Sequence, residues 1–152
     1  LIAGTDKGFE PQAALTRAML VTILARGAGI ETAGGSSWYA RAAEWGMANG
    51  LTDGTDMLGA ATREQFAALL YRYWQLRNPD TGSFAPPADL SAFADAESVS
   101  EWAREAVEWA VGNGLMQGRA ASAIGAKTTA TRAEAAALLQ RYFEKFEKSA
   151  YA

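Results

Sequence analysis

Two segments of this 152-residue chain repeat each other in register, and this repetition constrains the fold more than any other feature. Residues 38–51 read WYARAAEWGMANGL, and residues 102–115 read WAREAVEWAVGNGL. Seven identities share an offset of 64 residues, among them Trp38 with Trp102, Trp45 with Trp109, Asn49 with Asn113, Gly50 with Gly114, and Leu51 with Leu115. Because a repeated unit buries its apolar face against its neighbours, we expect the repeats to pack together.

A Thr-Arg dipeptide opens three further segments, whose aliphatic residues have the spacing of one helix face. It occurs at Thr16-Arg17, Thr62-Arg63 and Thr131-Arg132. The sequence therefore predicts Thr-Arg helices from about Thr16, Thr62 and Thr131, and tryptophan-rich helices from about Ser37 and Val99. Since no segment sustains a period-two alternation, the predicted fold class is all-α.

The ends of these helices carry recognisable signals. Gly50 and Gly114, each followed by leucine, fit a helix stop with a left-handed glycine. Thr62 with Gln65, and Thr131 with Glu134, fit capping boxes; Thr16 can cap its helix, but Met19 is not expected to return the second bond.

Composition excludes several classes of function. The chain has no cysteine and no histidine, so disulfides, thiolate metal sites and histidine-based triads are not available. Its net charge of −3 argues against a nucleic-acid binder. The acidic loop at residues 52–59 lacks EF-hand spacing, so we predict no metal, and no cofactor is predicted.

The three arginines are the first candidates for a binding site. Arg17, Arg63 and Arg132 stand at the first helical position, where the helix dipole disfavours a cation. A guanidinium beside free N-terminal N–H groups would bind a carboxylate or a phosphate. The alternative is an internal salt bridge, for example to Asp95, and both can hold in turn if a ligand displaces the internal partner.

Tryptophans and glycines give further candidates. Trp45 and Trp109 are predicted in the core, whereas Trp38 and Trp102 open their helices and could stack on a sugar or pack internally. The repeated loop glycines either form tight turns or let a ligand approach the backbone; they are Gly4, Gly54 and Gly118.

Taken together, these motifs resemble the S-layer homology domain. The third repeat carries the resemblance best, with Phe93-Ala94-Asp95, Trp102-Ala103, Gly114 to Gly118 and Thr131-Arg132-Ala133-Glu134. The second repeat lacks the Phe-x-Asp motif, and the first lacks its tryptophan-rich helix.

The resemblance implies a pseudo-threefold helical bundle that anchors proteins on bacterial cell walls. The implied ligand is an acidic secondary wall polysaccharide, often bearing pyruvate ketals, and the implied location is the cell surface. The matching groove residues here are Arg17, Arg63, Arg132, Asp95, Trp38, Trp102, Gly4, Gly54 and Gly118.

The predicted organisation is a partial first repeat (1–30), a second repeat (31–78), a linker (79–92) and a third repeat (93–148). The chain opens at Leu1 without an initiator methionine or a signal-peptide pattern, so we expect a fragment. The resemblance implies that the whole protein is secreted. Apolar surface left by the missing first helix would favour a homo-oligomer.

Two other classes of function fit the sequence less well than a cell-wall anchor does. A helical scaffold for a protein partner would resemble a solenoid, but the Thr-Arg motifs lie 46 and 69 residues apart, not at a constant period. A glycan-processing enzyme would need two carboxylates flanking a cleft, and no such pair stands out. The chain is therefore predicted to be non-catalytic.

Overall fold

The structure is a computed structural model that describes residues 12–79, 89–117 and 123–147. Five α-helices account for most of this part of the chain: α1 (Arg17–Gly27), α2 (Ala40–Ala48), α3 (Arg63–Arg77), α4 (Glu101–Gly112) and α5 (Arg132–Phe146). Two short 3-10 helices, Leu90–Ala92 and Ala96–Ser98, precede α4.

The predicted all-α class is confirmed, because the described residues contain only isolated β-bridges in addition to helices. The Thr-Arg helices begin one residue after each threonine, as predicted. The tryptophan-rich helices begin two to three residues later than predicted, at Ala40 and Glu101. None of the described helices is long and apolar enough to cross a membrane.

The chain divides into two compact units. Unit 1 comprises the residues up to Ala61 together with Ala130–Ala136, and unit 2 comprises Thr62–Thr129 with the residues from Ala137 onward. Helices α1 and α2 thus belong to unit 1, and α3 and α4 to unit 2. The repeat boundaries given by the sequence stay a prediction.

Helices α1 and α2 pack closely in unit 1. A Cβ atom on Gly46 would lie 2.8 Å from Cγ2 of Val21 and 2.9 Å from Cγ2 of Thr52, so only glycine fits there without adjustment. The core around this contact consists of small and aliphatic side chains, with Trp45 packed against it: Ala18, Val21, Ala25, Ala42, Ala43 and Met57.

Unit 2 has an aromatic core centred on Trp109, which is 1% exposed. Its ring lies 5.2 Å from that of Tyr71, 5.7 Å from Trp74 and 6.0 Å from Phe146, measured between centroids. The prediction of a core tryptophan is therefore confirmed at Trp109, while its repeat partner Trp45 is only partly buried.

The helix starts confirm two capping boxes and correct one expectation. The Thr62 N–H donates to Gln65 Oε1 at 2.9 Å and the Thr131 N–H donates to Glu134 Oε1 at 2.9 Å. The expectation for Thr16 was wrong, because its N–H points at the Met19 sulfur at 3.5 Å. A thioether is a weak acceptor, so the box closes there with a weaker bond.

The predicted glycine stops are confirmed at both tryptophan-rich helices. Gly50 has φ +74° and Gly114 has φ +71°. The N–H of the following leucine then donates back into the helix, from Leu51 to Gly46 and from Leu115 to Ala110, each at 2.8 Å. Both leucines are 1% exposed, so each stop also adds an apolar side chain to the core.

Gly114→Val is expected to destabilise the protein by about 1–3 kcal/mol, because a β-branched residue is strained at positive φ. Nothing lies within 4 Å of the Cβ position, so the cost comes from the backbone conformation and not from crowding. Gly112→Val, two residues earlier inside α4, is the matched control and should be close to neutral. Equal urea midpoints for the two variants would contradict this explanation.

Three backbone hydrogen bonds join the residues that precede the Thr-Arg motifs, all within unit 1. The N–H of Leu15 donates to the carbonyl of Ala130, that of Ala130 to Ala61, and that of Ala61 to Leu15, at 2.8–2.9 Å. Donor and acceptor alternate round a closed ring. The pseudo-threefold arrangement of the whole bundle stays a prediction.

Candidate ligand-binding site

The three Thr-Arg arginines differ strongly in exposure although they occupy equivalent helix positions. The side chain of Arg17 is 22% exposed. In contrast, Arg63 is 7% exposed and Arg132 is 1% exposed. A buried arginine supports the fold around it, so the roles of these residues in binding and in stability have to be separated by experiment.

The first N–H groups of α1 are already bonded. The Arg17 N–H donates to the Gly59 carbonyl at 3.1 Å, and the Ala18 N–H donates to the Met57 carbonyl at 2.7 Å. Both acceptors lie in the loop that follows α2.

The same pattern recurs in α3 and α5. The Arg63 N–H donates to the Thr128 carbonyl at 2.8 Å, and the Glu64 N–H donates to the Ala126 carbonyl at 3.0 Å. The Arg132 N–H donates to Ala13 at 2.9 Å. The expectation of free N–H groups beside the arginines was therefore wrong, because the loop before the next motif supplies carbonyls that the sequence pattern did not reveal.

Arg17 forms an ion pair in unit 1. Its Nη1 donates to Asp56 Oδ2 at 2.8 Å and to the Asp56 carbonyl at 3.2 Å. The internal salt bridge considered from the sequence is thus present at Arg17, but its partner is Asp56 and not Asp95. Asp56 also adopts a left-handed backbone with φ +48°.

Arg63 fastens the loop before the third Thr-Arg motif in unit 2. Its Nε donates to the Ile124 carbonyl at 2.8 Å, and its Nη2 donates to the Gln117 carbonyl at 2.7 Å. One guanidinium thus bonds to the carbonyls of both Gln117 and Ile124.

Asp95 holds the same loop through its N–H groups. Its carboxylate accepts from Ile124 at 2.7 Å and from Gly125 at 2.9 Å. The Ile124 bond, with help from the Gly125 bond and the charge of Arg63, lowers the pKa of Asp95 below its ordinary value of 3.8. Arg63 and Asp95 therefore both bond to Ile124, Arg63 at its carbonyl and Asp95 at its N–H.

A buried carboxylate next to Arg63 fixes the start of α4. Glu64 is 2% exposed, and its Oε1 accepts from the N–H of Ser100 at 3.0 Å. Lys127 donates to Ser100 Oγ at 2.7 Å and lies 3.9 Å from Glu64 Oε2. This network orients the first turn of α4, which carries Trp102.

Both tryptophans that were predicted to open helices are exposed, but only Trp102 lies in its helix, because Trp38 precedes α2 by two residues. Trp102 is 58% exposed, and Trp38 is 54% exposed with its ring 5.2 Å from that of Tyr39. Gly54 has φ +80°, which agrees with a tight turn. Gly4 and Gly118, and most of the 79–92 linker, lie outside the described residues.

The sequence did not single out Asp56, Glu64 or Lys127 as partners of the motif residues. Asp56 precedes Thr62 by six residues, and Lys127 precedes Thr131 by four, so both stand in the loop before a Thr-Arg motif. That shared location is the signal that could have identified them. Chemically, each unit by itself offers a cation for a carboxylate and an exposed aromatic ring for a sugar face.

Comparison with known families identifies one segment of the chain. Residues 92–136 match the sequence model of the S-layer homology domain family. A solved structure, an undecaheme cytochrome from the S-layer of Carboxydothermus ferrireducens, matches 88% of the chain with a TM-score of 0.55 and 20% identity. The match covers 18% of that protein and supports the fold alone.

Three curated proteins are similar over nearly the whole chain. An amylopullulanase of Thermoanaerobacterium thermosulfurigenes is 30% identical over 93% of the chain, and exoglucanase XynX of Acetivibrio thermocellus is 28% identical over 93%. The surface-layer 125 kDa protein of Lysinibacillus sphaericus is 27% identical over 97%. The chain spans only 8%, 14% and 13% of these proteins, respectively.

Proposed function

We propose that this chain, whose residues 92–136 belong to the S-layer homology domain family, is a non-catalytic module that binds an acidic, pyruvylated polysaccharide of the bacterial cell wall. Domains of this family anchor proteins to the cell wall, and the protein is accordingly associated with the cell surface. We propose both the identity of the glycan and the residues that contact it.

The exposed ring of Trp102 carries the proposal. An indole that is 58% exposed gains little from burial, while Trp109, seven residues later on the same helix, is 1% exposed. The Glu64–Ser100–Lys127 network holds the first turn of α4 in place, so the ring is presented from a fixed backbone. A rigid exposed aromatic ring suits the apolar face of a sugar.

Arginine supplies the complementary recognition of charge. Guanidinium groups bind carboxylates in a defined geometry, and a pyruvate ketal adds a carboxylate to an otherwise neutral sugar. Arg17 is the most exposed of the three Thr-Arg arginines, whereas Arg63 and Arg132 are largely buried. We therefore assign direct contact first to Arg17, and contact combined with support of the fold to Arg63 and Arg132.

Cosedimentation with purified bacterial wall sacculi tests this function. We expect binding to native sacculi and loss of binding after the accessory polysaccharide has been chemically stripped. Binding that survives stripping would contradict the proposal and point to peptidoglycan. Binding to neither preparation would favour a scaffold for a protein partner.

Trp102→Ala is expected to weaken binding to native sacculi about five- to tenfold, which corresponds to about 1–1.4 kcal/mol for a lost aromatic contact. The matched control is Leu76→Ala, which removes another exposed apolar side chain of unit 2, 38% exposed, from the end of α3. Equal binding by the two variants would contradict the proposed contact between the Trp102 ring and a sugar.

A further inference from the structure

The Arg17–Asp56 pair gives unit 1 a feature that the proposed function does not explain. A glycan carboxylate would need to approach the guanidinium of Arg17, yet Asp56 Oδ2 already lies 2.8 Å from Nη1. An acidic residue thus occupies part of the position that an acidic ligand would take.

The Arg17–Asp56 ion pair is weak enough for a ligand carboxylate to replace the Asp56 carboxylate. The Asp56 side chain is 71% exposed, so its carboxylate keeps most of its hydration while paired. Exposed ion pairs contribute only about 0–1 kcal/mol, because water and salt screen them. A second carboxylate that arrives with additional sugar contacts can therefore replace the Asp56 oxygen at little cost.

The backbone around Asp56 keeps Arg17 positioned during such an exchange. Nη1 also contacts the Asp56 carbonyl, at 3.2 Å, and the Arg17 N–H is bonded to the Gly59 carbonyl. These contacts do not depend on the Asp56 carboxylate. The guanidinium would stay near its present place when the side chain leaves, which lowers the ordering cost of ligand binding.

The backbone conformation of Asp56 determines where its carboxylate lies. The residue has φ +48°, a region in which aspartate and asparagine are enriched among non-glycine residues. Its carboxylate lies over Gly59, where a Cβ atom would overlap the carboxylate oxygens. The side chain is therefore held over the loop beside Arg17.

We propose that Asp56 is an internal competitor of the ligand carboxylate at Arg17. In the absence of ligand, its carboxylate neutralises the guanidinium. On binding, the ligand carboxylate replaces the Asp56 oxygen, so Asp56 lowers the affinity for every carboxylate that binds this guanidinium by the same factor. Only ligands with additional sugar contacts then bind tightly. The identity of the ligand as a wall glycan rests on the proposed function, whereas the competition at Arg17 concerns carboxylates in general.

Titration with sodium pyruvate at constant ionic strength tests the competition directly, with the side-chain N–H signals of Arg17 followed by NMR. Asp56→Asn removes the charge but retains the preference for positive φ and the side-chain size, so the loop is expected to fold as before. We expect the variant to bind pyruvate about two- to fivefold more tightly than the wild type, in line with the worth of an exposed ion pair.

Two controls make the result specific. Asp53→Asn removes an exposed charge from the same loop but leaves the Arg17–Asp56 pair in place. Because the Asp53 carboxylate interacts only weakly with Arg17, its removal should raise the affinity less than Asp56→Asn does. Combining Asp56→Asn with Arg17→Ala should abolish the gain, measured then by the backbone N–H signals of the loop.

The outcomes separate this inference from the proposed function. Equal or weaker pyruvate binding by Asp56→Asn, or a gain of the same size from Asp53→Asn, would overturn the inference. If the wild-type protein fails to bind sacculi while Asp56→Asn still gains pyruvate affinity, the inference holds and the proposed ligand is wrong. If sacculi are bound but the pyruvate affinities do not differ, only the inference fails.

Discussion

Trp109→Ala is expected to destabilise the protein by about 3–5 kcal/mol, the range for removing a large aromatic side chain from a packed core. Trp109 is 1% exposed. Its ring lies against rings from α3 and α5, among them Tyr71 at 5.2 Å, Trp74 at 5.7 Å and Phe146 at 6.0 Å between centroids. The cavity would therefore be bounded by large, stiff side chains that cannot collapse into it.

Trp102→Ala is the matched control for this result. Trp102 stands seven residues earlier on the same helix and opens the same repeated motif, but it is 58% exposed. Its replacement should change the free energy of unfolding by no more than about 0.5 kcal/mol. Urea unfolding followed by far-UV circular dichroism measures both variants. Similar losses in the two would mean that the packing round Trp109 is looser than the structure shows.

Asp95→Ala is expected to cost about 2–3 kcal/mol, because two backbone N–H groups lose a charged acceptor. These are the Ile124 and Gly125 groups, at 2.7 Å and 2.9 Å from the carboxylate. Ile124 would then keep only the bond from Arg63 to its carbonyl. Asp89→Ala removes a carboxylate that accepts from Ser91 at an exposed helix start, so it should cost less.

The pH dependence of Asp95 gives a second measurement. Its pKa is lowered in the folded protein, chiefly by the Ile124 N–H, so the folded state binds the proton more weakly than the unfolded state. The contribution to stability is therefore complete above the ordinary aspartate pKa of 3.8 and is lost as the pH falls through the lower folded-state pKa. We expect the difference in stability between wild type and Asp95→Ala to shrink on acidification through that range. A difference that stays constant would contradict the assigned hydrogen bonds.

The sequence was sufficient for features set by local spacing. Helix starts at Thr62 and Thr131 follow from capping boxes whose partners lie three residues apart. The stop at Gly114 follows from the need for positive φ, which few residues other than glycine adopt easily. The prediction that Trp109 lies in the core is confirmed, whereas the sequence left open whether Trp102 packs internally, and its ring is 58% exposed.

Features set by contacts between distant residues could not be predicted in the same way. The N–H groups of Arg63 and Glu64 are bonded to carbonyls more than 60 residues away, which no helix-terminus pattern reveals. The pairing of Arg17 with Asp56 depends on the left-handed turn at Asp56, and the sequence suggested Asp95 as an example of such a partner instead. The weak Met19 bond depends on a sulfur atom that sequence rules do not count as a cap.

The ring of hydrogen bonds formed by Leu15, Ala61 and Ala130 bears on how such a protein can change its length in evolution. Each residue uses its N–H toward one neighbour and its carbonyl toward the other. Loss of one motif would leave a donor and an acceptor without their partners, and a fourth motif would find both already engaged. Adding or losing a single motif would therefore break the ring, whereas copying all three motifs together would preserve every bond.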